Sequence, residues 1–369
     1  MKKKIKVMVV DDSAIVRQTL TEIFNSDPEI EVMGMASNPY AAVKMIKEEI
    51  PDVISLDIEM PGMDGLTFLK KIMAQHPIPV VIISTLSIKG SVIAMQALAY
   101  GAAEVMCKPQ IHTREFLHES SILLCDAVKA AYQTKFSKRK TTDNRELLRA
   151  SQKYSADVVI GKRRSGMIKE TADKVIAIGS STGGIDALRV FLLEMPHDCP
   201  GIVITQHLPA MFVASFAERM NQICEIEVKE AEDGDPILNG RALIAPGGRH
   251  LLVTRSGSQY KVKIIDGPLV NRHRPSVDVL FRSTAQNAGS NAIGVILTGM
   301  GDDGARGLLE MKEAGAYTIA QDEESSVVFG MPKEAIKLGA ADVILPLNEI
   351  AAKVIAMSKH QRKVKEQIL

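Results

Sequence analysis

A serine framed by glycines stands where an apolar strand pattern meets a helical one. The motif Gly179-x-Ser181-x-Gly183 follows the apolar run 175–178 and precedes helical spacing over 185–193. A sharp strand-to-helix turn lifts a serine hydroxyl above the sheet edge, and free N–H groups at the helix start stabilise a developing oxyanion. These residue types fit acyl transfer by a nucleophilic serine. A glycine-rich packing turn and a phosphate-binding loop remain alternatives.

Two further polar groups follow strand patterns of the same half of the chain. His207 comes after the run 201–205, and Asp302 and Asp303 come after 292–297. Parallel strands bring their carboxyl ends to one edge, so these groups and Ser181 would supply a nucleophile, a base and an orienting anion. A structural histidine and an N-capping aspartate are the plain alternatives. The phosphate-loop interpretation loses support because the glycines do not fit G-x-G-x-x-G and no P-loop lysine follows.

A second set of strand-end residues lies in the N-terminal third. Three carboxylates at neighbouring strand ends repel one another unless a hard cation such as Mg²⁺ neutralises them. A carboxylate with Mg²⁺, a lysine and a hydroxyl around it is placed to accept a phosphoryl group, and Asp57 is the one so placed. Helix capping by Asp12 and Ser13 is the plain alternative. The set comprises Asp11, Asp12, Asp57, Ser84, Thr85 and Lys108.

The elements that must position both sets follow a repeated β–α alternation. Strand patterns at 5–10, 31–36, 53–56, 80–83 and 104–106 alternate with helical patterns at 14–24, 40–49, 66–74, 91–100 and 115–129. Strand patterns then return at 175–178, 201–205, 292–297, 318–320 and 342–345. We therefore expect an α/β protein with two doubly wound parallel-sheet domains.

Between the second domain's strands the pattern changes to alternating polar and apolar residues. The segments 241–245, 251–254 and 260–265 are separated by Pro-Gly-Gly and Ser-Gly turns, which are typical of a β-hairpin. We expect this insertion to give the second sheet an antiparallel edge.

Length, charge and hydropathy limit the class of protein. A chain of 369 residues suggests two domains, and a net charge of +1 gives no general reason to expect nucleic acid. No apolar run approaches the roughly 20 residues that span a bilayer, so we expect a cytoplasmic protein without membrane insertion.

Residues 134–170 hold eleven Lys or Arg against four Asp or Glu. The predicted organisation is a first domain over 1–126, a basic linker over 127–170 and a second domain over 171–369.

The N-terminal motifs resemble those of response-regulator receiver domains, which have a flavodoxin-like fold. The matching stretches are Val9–Ser13, Asp57–Gly65 and Lys108-Pro109. The resemblance implies that Asp57 is the phosphoacceptor, that Asp11 and Asp12 help to hold Mg²⁺, and that Lys108 contacts the phosphoryl group. It also implies a hydroxyl switch at Ser84 or its neighbour Thr85. Many receivers carry an aromatic switch residue where this chain has Val105, so a serine–tyrosine coupling is not expected.

The second half resembles the Rossmann-like catalytic domain of chemotaxis protein-glutamate methylesterases. The matching stretches are Ile178–Gly184, Ile204–His207, Asn271–Asp278, Leu297–Gly304 and Val328–Pro332. The resemblance implies Ser181 as nucleophile, His207 as base and Asp303, rather than Asp302, as the residue that orients His207. Backbone N–H groups near Thr182 and Met300 are the oxyanion-hole candidates. Arg272, His273 and Arg274 are candidates for docking an acidic substrate surface, with loop capping as the alternative.

Together the two resemblances imply a phosphorylation-activated esterase of chemotactic adaptation. It would remove methyl groups from glutamate methyl esters on the cytoplasmic helices of chemoreceptors, release methanol, and deamidate receptor glutamines. A chemotaxis histidine kinase would supply the phosphoryl group, Mg²⁺ would serve the receiver, and the esterase chemistry would need no cofactor. We expect a monomer. A non-catalytic adaptor and a nucleotide-binding domain are the rival hypotheses.

Overall fold

The computed structural model describes residues 3–85, 88–109, 114–134, 154–162 and 174–366. The chain divides into two compact units, Met1–Asp143 and Asn144–Leu369. Each unit is built on its own parallel sheet, which confirms the predicted α/β class. Of the helices in these described ranges, none is both long enough and apolar enough to cross a membrane.

The first unit is a five-stranded parallel sheet with the order β2-β1-β3-β4-β5. Its strands are β1 (Ile5–Val10), β2 (Ile30–Ala36), β3 (Val53–Leu56), β4 (Val80–Ser84) and β5 (Glu104–Cys107). Its helices are α1 (Ala14–Ser26), α2 (Pro39–Glu48), α3 (Gly65–Gln75), α4 (Ile88–Ala99) and α5 (Arg114–Thr134). Strands β1 and β3 pair directly, so the residues that follow them lie side by side at the carboxyl edge.

Buried apolar strands explain why the first unit forms this sheet. All four residues of β3 and all five of β4 are buried, the pattern of strands covered on both faces by helices. Ser13, not Asp12, caps α1, since its side chain accepts a hydrogen bond from the Val16 N–H. Asp12 is therefore left exposed beside Asp11 at the sheet edge.

The second unit has a seven-stranded sheet with the order β14-β13-β12-β6-β7-β9-β8. The unit also contains a separate two-stranded sheet of β10 and β11. The strands of the unit are β6 (Val175–Ser180), β7 (Gly201–Gln206), β8 (Glu227–Glu230), β9 (Arg241–Ile244), β10 (His250–Ser256), β11 (Gln259–Ile265), β12 (Ala292–Ile296), β13 (Tyr317–Gln321) and β14 (Val343–Leu345). Its helices are α6 (Gly184–Leu193), α7 (Ala210–Ile223), α8 (Val277–Asn287), α9 (Ala305–Glu313), α10 (Met331–Lys337) and α11 (Leu347–Glu366). The strand order reverses between β6 and β12, where open parallel sheets bind their ligands.

The hairpin prediction is right for two of its three segments. Strands β10 and β11 pair antiparallel as a separate two-stranded sheet, and Val253 N–H donates to Ser283 Oγ of α8 at 2.9 Å. The segment at β9 was wrongly placed in the hairpin, because it runs parallel to β7 and β8 within the main sheet. The expected antiparallel edge is also wrong, since β8 at that edge is parallel. Three consecutive buried residues, Ala242 to Ile244, are typical of a parallel strand covered on both sides.

The structure adds detail at the ends of the predicted linker. Helix α5 continues to Thr134, and residues 154–162, called the strap below, contact α8 of the second unit. The strap contains a short 3₁₀ turn, Ala156–Val158, whose first residue is buried. Arg282 of α8 donates to Asp157 Oδ1 at 2.8 Å and to the Ile160 carbonyl at 3.0 Å. The rest of the predicted linker lies outside the described residues.

Candidate active site

The serine turn between β6 and α6 depends on two glycines. Gly183 has φ +78°, a left-handed conformation, and a Cβ there would lie 2.5 Å from Val327 Cβ. A Cβ on Gly184 would lie 2.1 Å from Gln206 Oε1. These close approaches let the chain turn within a few residues and leave Ser181 at the carboxyl edge, 8% exposed.

Hydrogen bonds from the strands on both sides fix the backbone of the serine. Ser181 N–H donates to the Thr298 carbonyl after β12 at 3.0 Å. On the other side, Gln206 Nε2 at the end of β7 donates to the Ser181 carbonyl at 2.9 Å, and its Oε1 accepts from Ser180 Oγ at 2.6 Å. The turn is therefore a rigid platform, which a nucleophile needs if its hydroxyl is to stay aligned.

His207 follows β7 directly and is joined to the third predicted residue. Its backbone N–H donates to the Ser180 carbonyl at 3.2 Å, and its Nε2 lies 2.8 Å from Asp303 Oδ2. Because a carboxylate only accepts, Nε2 carries the hydrogen and Nδ1 has the free lone pair. Nδ1 is buried, and nothing in the described residues forms a hydrogen bond with it.

Asp303 is a buried carboxylate surrounded by donors. Besides His207, Oδ2 accepts from Val277 N–H at 2.7 Å, and Oδ1 accepts from Ser276 Oγ at 2.8 Å and Asp278 N–H at 3.2 Å. The free amides at the start of α8 thus point at this carboxylate, as helix N-termini do towards anions. Burial alone would raise the pKa of Asp303, but the hydrogen bond from His207 and the nearby imidazoles hold the pKa below its usual range.

The basic segment 272–274 contributes a contact that the sequence did not indicate. The His273 ring stacks on His207, with centroids 3.6 Å apart and planes 8° from parallel. Arg274 Nη1 donates to the Gly267 carbonyl at 2.5 Å, which favours loop capping for this residue. Arg272 has φ 71°, so it continues a strained turn. Substrate docking by these three residues stays a prediction.

The oxyanion-hole candidates flank the serine. Thr182 follows it in the turn, and Met300 lies in the loop after β12, whose Gly299 approaches Ser181 so closely that a Cβ would be 2.8 Å from Ser181 Cβ. In the described part of the chain, neither the Thr182 nor the Met300 N–H donates a hydrogen bond. Both amides are thus available to a ligand oxygen, though their role stays a prediction.

The carboxylate cluster of the first unit forms as the strand order requires. Carboxylate oxygens of Asp11, Asp12 and Asp57 all lie within 4.8 Å of one another. Lys108 Nζ is 2.8 Å from Asp11 Oδ2 and 2.9 Å from Asp57 Oδ2. One lysine cannot neutralise three carboxylates, so the donor set fits a hard divalent cation that prefers oxygen ligands.

Burial and ion pairing set the electrostatics of this cluster. Burial raises the pKa of Asp57, an effect that Lys108 only partly offsets. Burial would lower the pKa of Lys108, but its bonds to Asp11 and Asp57 raise it above the usual value. The lysine therefore stays a cation beside the two carboxylates.

The two candidate switch hydroxyls differ in their surroundings. Ser84 is fully buried at the end of β4, and its Oγ has no hydrogen-bond partner among the described residues. Thr85 Oγ1 donates instead to Glu59 Oε2 at 3.0 Å. Ser84 Oγ is thus unengaged among the described residues and Thr85 Oγ1 is engaged, while the switch role of either hydroxyl stays a prediction.

Sequence reasoning missed several residues that surround Asp303. Asn271 donates to Asp303, Ser276 donates to the same carboxylate, and Asp278 lies against it. The one signal was the dense run of polar residues just before a helical pattern. Their inward orientation depends on the strained turn at Asn271, which residue spacing does not encode.

Comparisons with known proteins find matches in both units. Residues 176–354 match the CheB methylesterase family, and residues 7–120 match the response regulator receiver domain. The Geobacter metallireducens protein-glutamate methylesterase/protein-glutamine glutaminase 3 is 57% identical over 96% of this chain and 99% of that protein. The Anaeromyxobacter dehalogenans protein-glutamate methylesterase/protein-glutamine glutaminase 5 is 56% identical over 97% of this chain and 98% of that protein.

A solved structure matches half of this chain. The crystal structure of the Thermotoga maritima CheB methylesterase catalytic domain is 40% identical, covers 50% of this chain and 98% of its own, and has a TM-score of 0.49. The relatives described above match this chain almost from end to end. The chain therefore belongs to the CheB methylesterase family, in the form that carries an N-terminal response regulator receiver domain.

Proposed function

We propose that this chain hydrolyses glutamate methyl esters on chemoreceptors and releases methanol. Ser181 is the nucleophile, His207 the general base and Asp303 the group that orients the imidazole. The relatives are named protein-glutamate methylesterase/protein-glutamine glutaminase, which agrees with such a site. The observation that carries the proposal is the 2.8 Å bond from His207 Nε2 to Asp303, which leaves Nδ1 free to accept a proton beside the serine turn.

The reaction follows from which atoms donate and which accept. Ser181 Oγ attacks the ester carbonyl while its proton passes to His207 Nδ1, and Asp303 stabilises the imidazolium that forms. The Thr182 and Met300 N–H groups stabilise the oxyanion. The imidazolium then returns its proton to the departing methoxide, which leaves as methanol. Water attacks the acyl-enzyme by the same route, giving a free glutamate carboxylate and restoring Ser181.

The same chemistry extends to a glutamine side chain. An amide carbonyl accepts the serine as an ester does, and the imidazolium protonates the leaving nitrogen so that ammonia departs. Deamidation would therefore use the same residues without any rearrangement. We propose it as the second activity.

The first unit regulates this activity by phosphorylation at Asp57. The acidic cluster would hold Mg²⁺ through Asp11, Asp12 and Asp57, and the ion would neutralise charge during phosphoryl transfer. Lys108 would then contact the phosphoryl group, and Ser84, with its unpartnered buried hydroxyl, would turn towards it. A chemotaxis histidine kinase is the proposed phosphodonor.

The test measures methanol released from methylated chemoreceptor fragments, with Mg²⁺ and a small phosphodonor. We expect release by the full chain, none by Ser181→Ala, and normal release by Ser256→Ala, a control at an exposed hairpin turn. The phosphodonor should accelerate the full chain but not Asp57→Asn. No release from the full chain despite phosphorylation of Asp57 would favour the non-catalytic adaptor.

A further inference from the structure

Asn271 occupies a strained turn between the hairpin and α8. Its φ is 49°, in the left-handed region that asparagine adopts more readily than most residues. Val270 and His273 close the turn with reciprocal backbone hydrogen bonds of 3.0 and 2.8 Å. The turn directs the short Asn271 side chain inward, towards the two buried aspartates.

The Asn271 amide bridges these two carboxylates. Its Nδ2 donates to Asp278 Oδ2 at 2.6 Å and to Asp303 Oδ1 at 3.0 Å. Asp278 Oδ2 and Asp303 Oδ1 both accept here, so the NH₂ group, with one hydrogen for each, is the end that faces them. Asp303 and Asp278 are 1% and 3% exposed, and neighbouring buried carboxylates repel each other strongly unless a donor lies between them.

The backbone of Asn271 is held from the other side by the strap. Its N–H donates to the Tyr154 carbonyl at 2.9 Å. The strap is itself anchored by Arg282. This arginine also forms a bidentate ion pair with Glu310, in which Nε donates to Oε2 at 2.7 Å and Nη2 donates to Oε1 at 2.6 Å. Asn271 is therefore fixed through both its main chain and its side chain.

We infer that Asn271 is a positioning residue for the proposed reaction, since its amide holds the Asp303 carboxylate where that carboxylate accepts the His207 Nε2–H. The strap keeps Asn271 in the conformation that this requires. Without the amide, Asp303 and Asp278 repel each other, and Asp303 turns away from His207. The inference rests on the proposed function, because it concerns the acid of that triad.

The test uses the full chain with Asn271→Gly, which tolerates the left-handed backbone and removes the amide together with its Cβ. The first readout is the downfield ¹H NMR resonance of the His207 imidazole N–H that bonds Asp303. The second is kcat and KM for a nitrophenyl ester. We expect the resonance to shift upfield or vanish, kcat to fall about tenfold to a hundredfold, and KM to stay unchanged.

The matched control is Asn287→Ala on α8. Asn287 Nδ2 donates to the Val253 and Ser283 carbonyls, so its removal tests the loss of an amide in the same unit away from Asp303. It should leave both the resonance and kcat unchanged.

Either readout can overturn the inference. A normal resonance in Asn271→Gly would overturn it, a normal kcat in this variant would do so as well, and so would a wild-type chain that shows no downfield resonance. If wild-type protein shows no Ser181-dependent ester hydrolysis, the proposed function fails, but the resonance of Asn271→Gly still decides whether Asn271 positions Asp303.

Discussion

Two buried aspartates with opposite pKa shifts lie side by side at the candidate triad. Asp303 collects donors from His207, Asn271 and the start of α8, and its pKa is held down. Asp278 has fewer donors, the Gly307 N–H at 2.7 Å and Asn271. Burial raises its pKa to about 7, and the charge of Asp303 adds to the rise. The site thus concentrates negative charge on the carboxylate that faces the imidazole.

This asymmetry predicts how stability depends on pH at Asp278. An unfolded aspartate has a pKa of about 3.9, so folding raises the pKa of Asp278. Its stabilising contribution is fully present below the unfolded pKa and is lost as pH rises through the folded pKa. The difference in Tm between Asp278→Asn and wild type should therefore move in favour of the variant between about pH 5 and pH 8, as followed by circular dichroism.

Asp64→Asn is the control for this measurement. The pKa of Asp64 is lowered, chiefly because its carboxylate accepts the Thr67 N–H at the start of α3. Its folded and unfolded pKa values both lie below that range of pH, so its Tm difference should stay constant across it. A constant difference for Asp278→Asn as well would show that Asp278 does not titrate there.

At the scale of elements, the turns between strands and helices hold the residues of the candidate site. The left-handed Gly183 lies at the start of α6, and the loop that contains Val327 packs against it. Thr298 joins the same parts, because its Oγ1 donates to the Thr182 carbonyl at 3.0 Å and accepts the Val328 N–H at 2.9 Å. The serine turn is thus held in place by the loops after β12 and β13.

Gly183→Ala should damage both stability and activity. The alanine would have to adopt a left-handed conformation, and its Cβ would collide with Val327. Together these two effects should lower the free energy of unfolding, measured in urea, by about 2–4 kcal/mol. Gly234 has φ +86° with open space around it, so Gly234→Ala should cost only about 1–2 kcal/mol. Adding Val327→Ala to Gly183→Ala should recover part of the loss. Equal costs for the two glycine variants would contradict the collision.

How far the sequence predicts the fold and the site depends on the type of signal. Hydrophobic periodicity located the strands that Ser181, His207 and Asp303 follow, and the strand-end rule placed these residues at one edge, as the structure has them. Residue spacing could not show that β9 lies in the main sheet and not in the hairpin, since a short alternating pattern fits a strand of either sheet. Nor could it show that Asn271 turns inward, because this follows from one positive φ and from contacts far away in the chain.

At the scale of the whole molecule, the strap belongs physically to the second unit although its sequence resembles a linker. Asp157 and the Ile160 carbonyl cover Arg282, which is 4% exposed. Gln286 Nε2 also donates to the Gly161 carbonyl at 2.9 Å. A catalytic fragment cut at the predicted boundary of 171 would lack all of these contacts.

We therefore expect fragment 150–369 to exceed fragment 171–369 in both stability and kcat. Without the strap, Arg282 loses two acceptors and Asn271 loses the Tyr154 carbonyl, a loss of about 1–3 kcal/mol in urea unfolding. Fragment 171–369 should also have a lower kcat for a nitrophenyl ester, because Asn271 is no longer fixed behind Asp303 in that fragment. Fragment 150–369 with Asp157→Ala isolates the contribution of the ion pair and should lie between the two. Identical urea midpoints and kcat values for the two fragments would show that the strap contributes nothing to the catalytic unit.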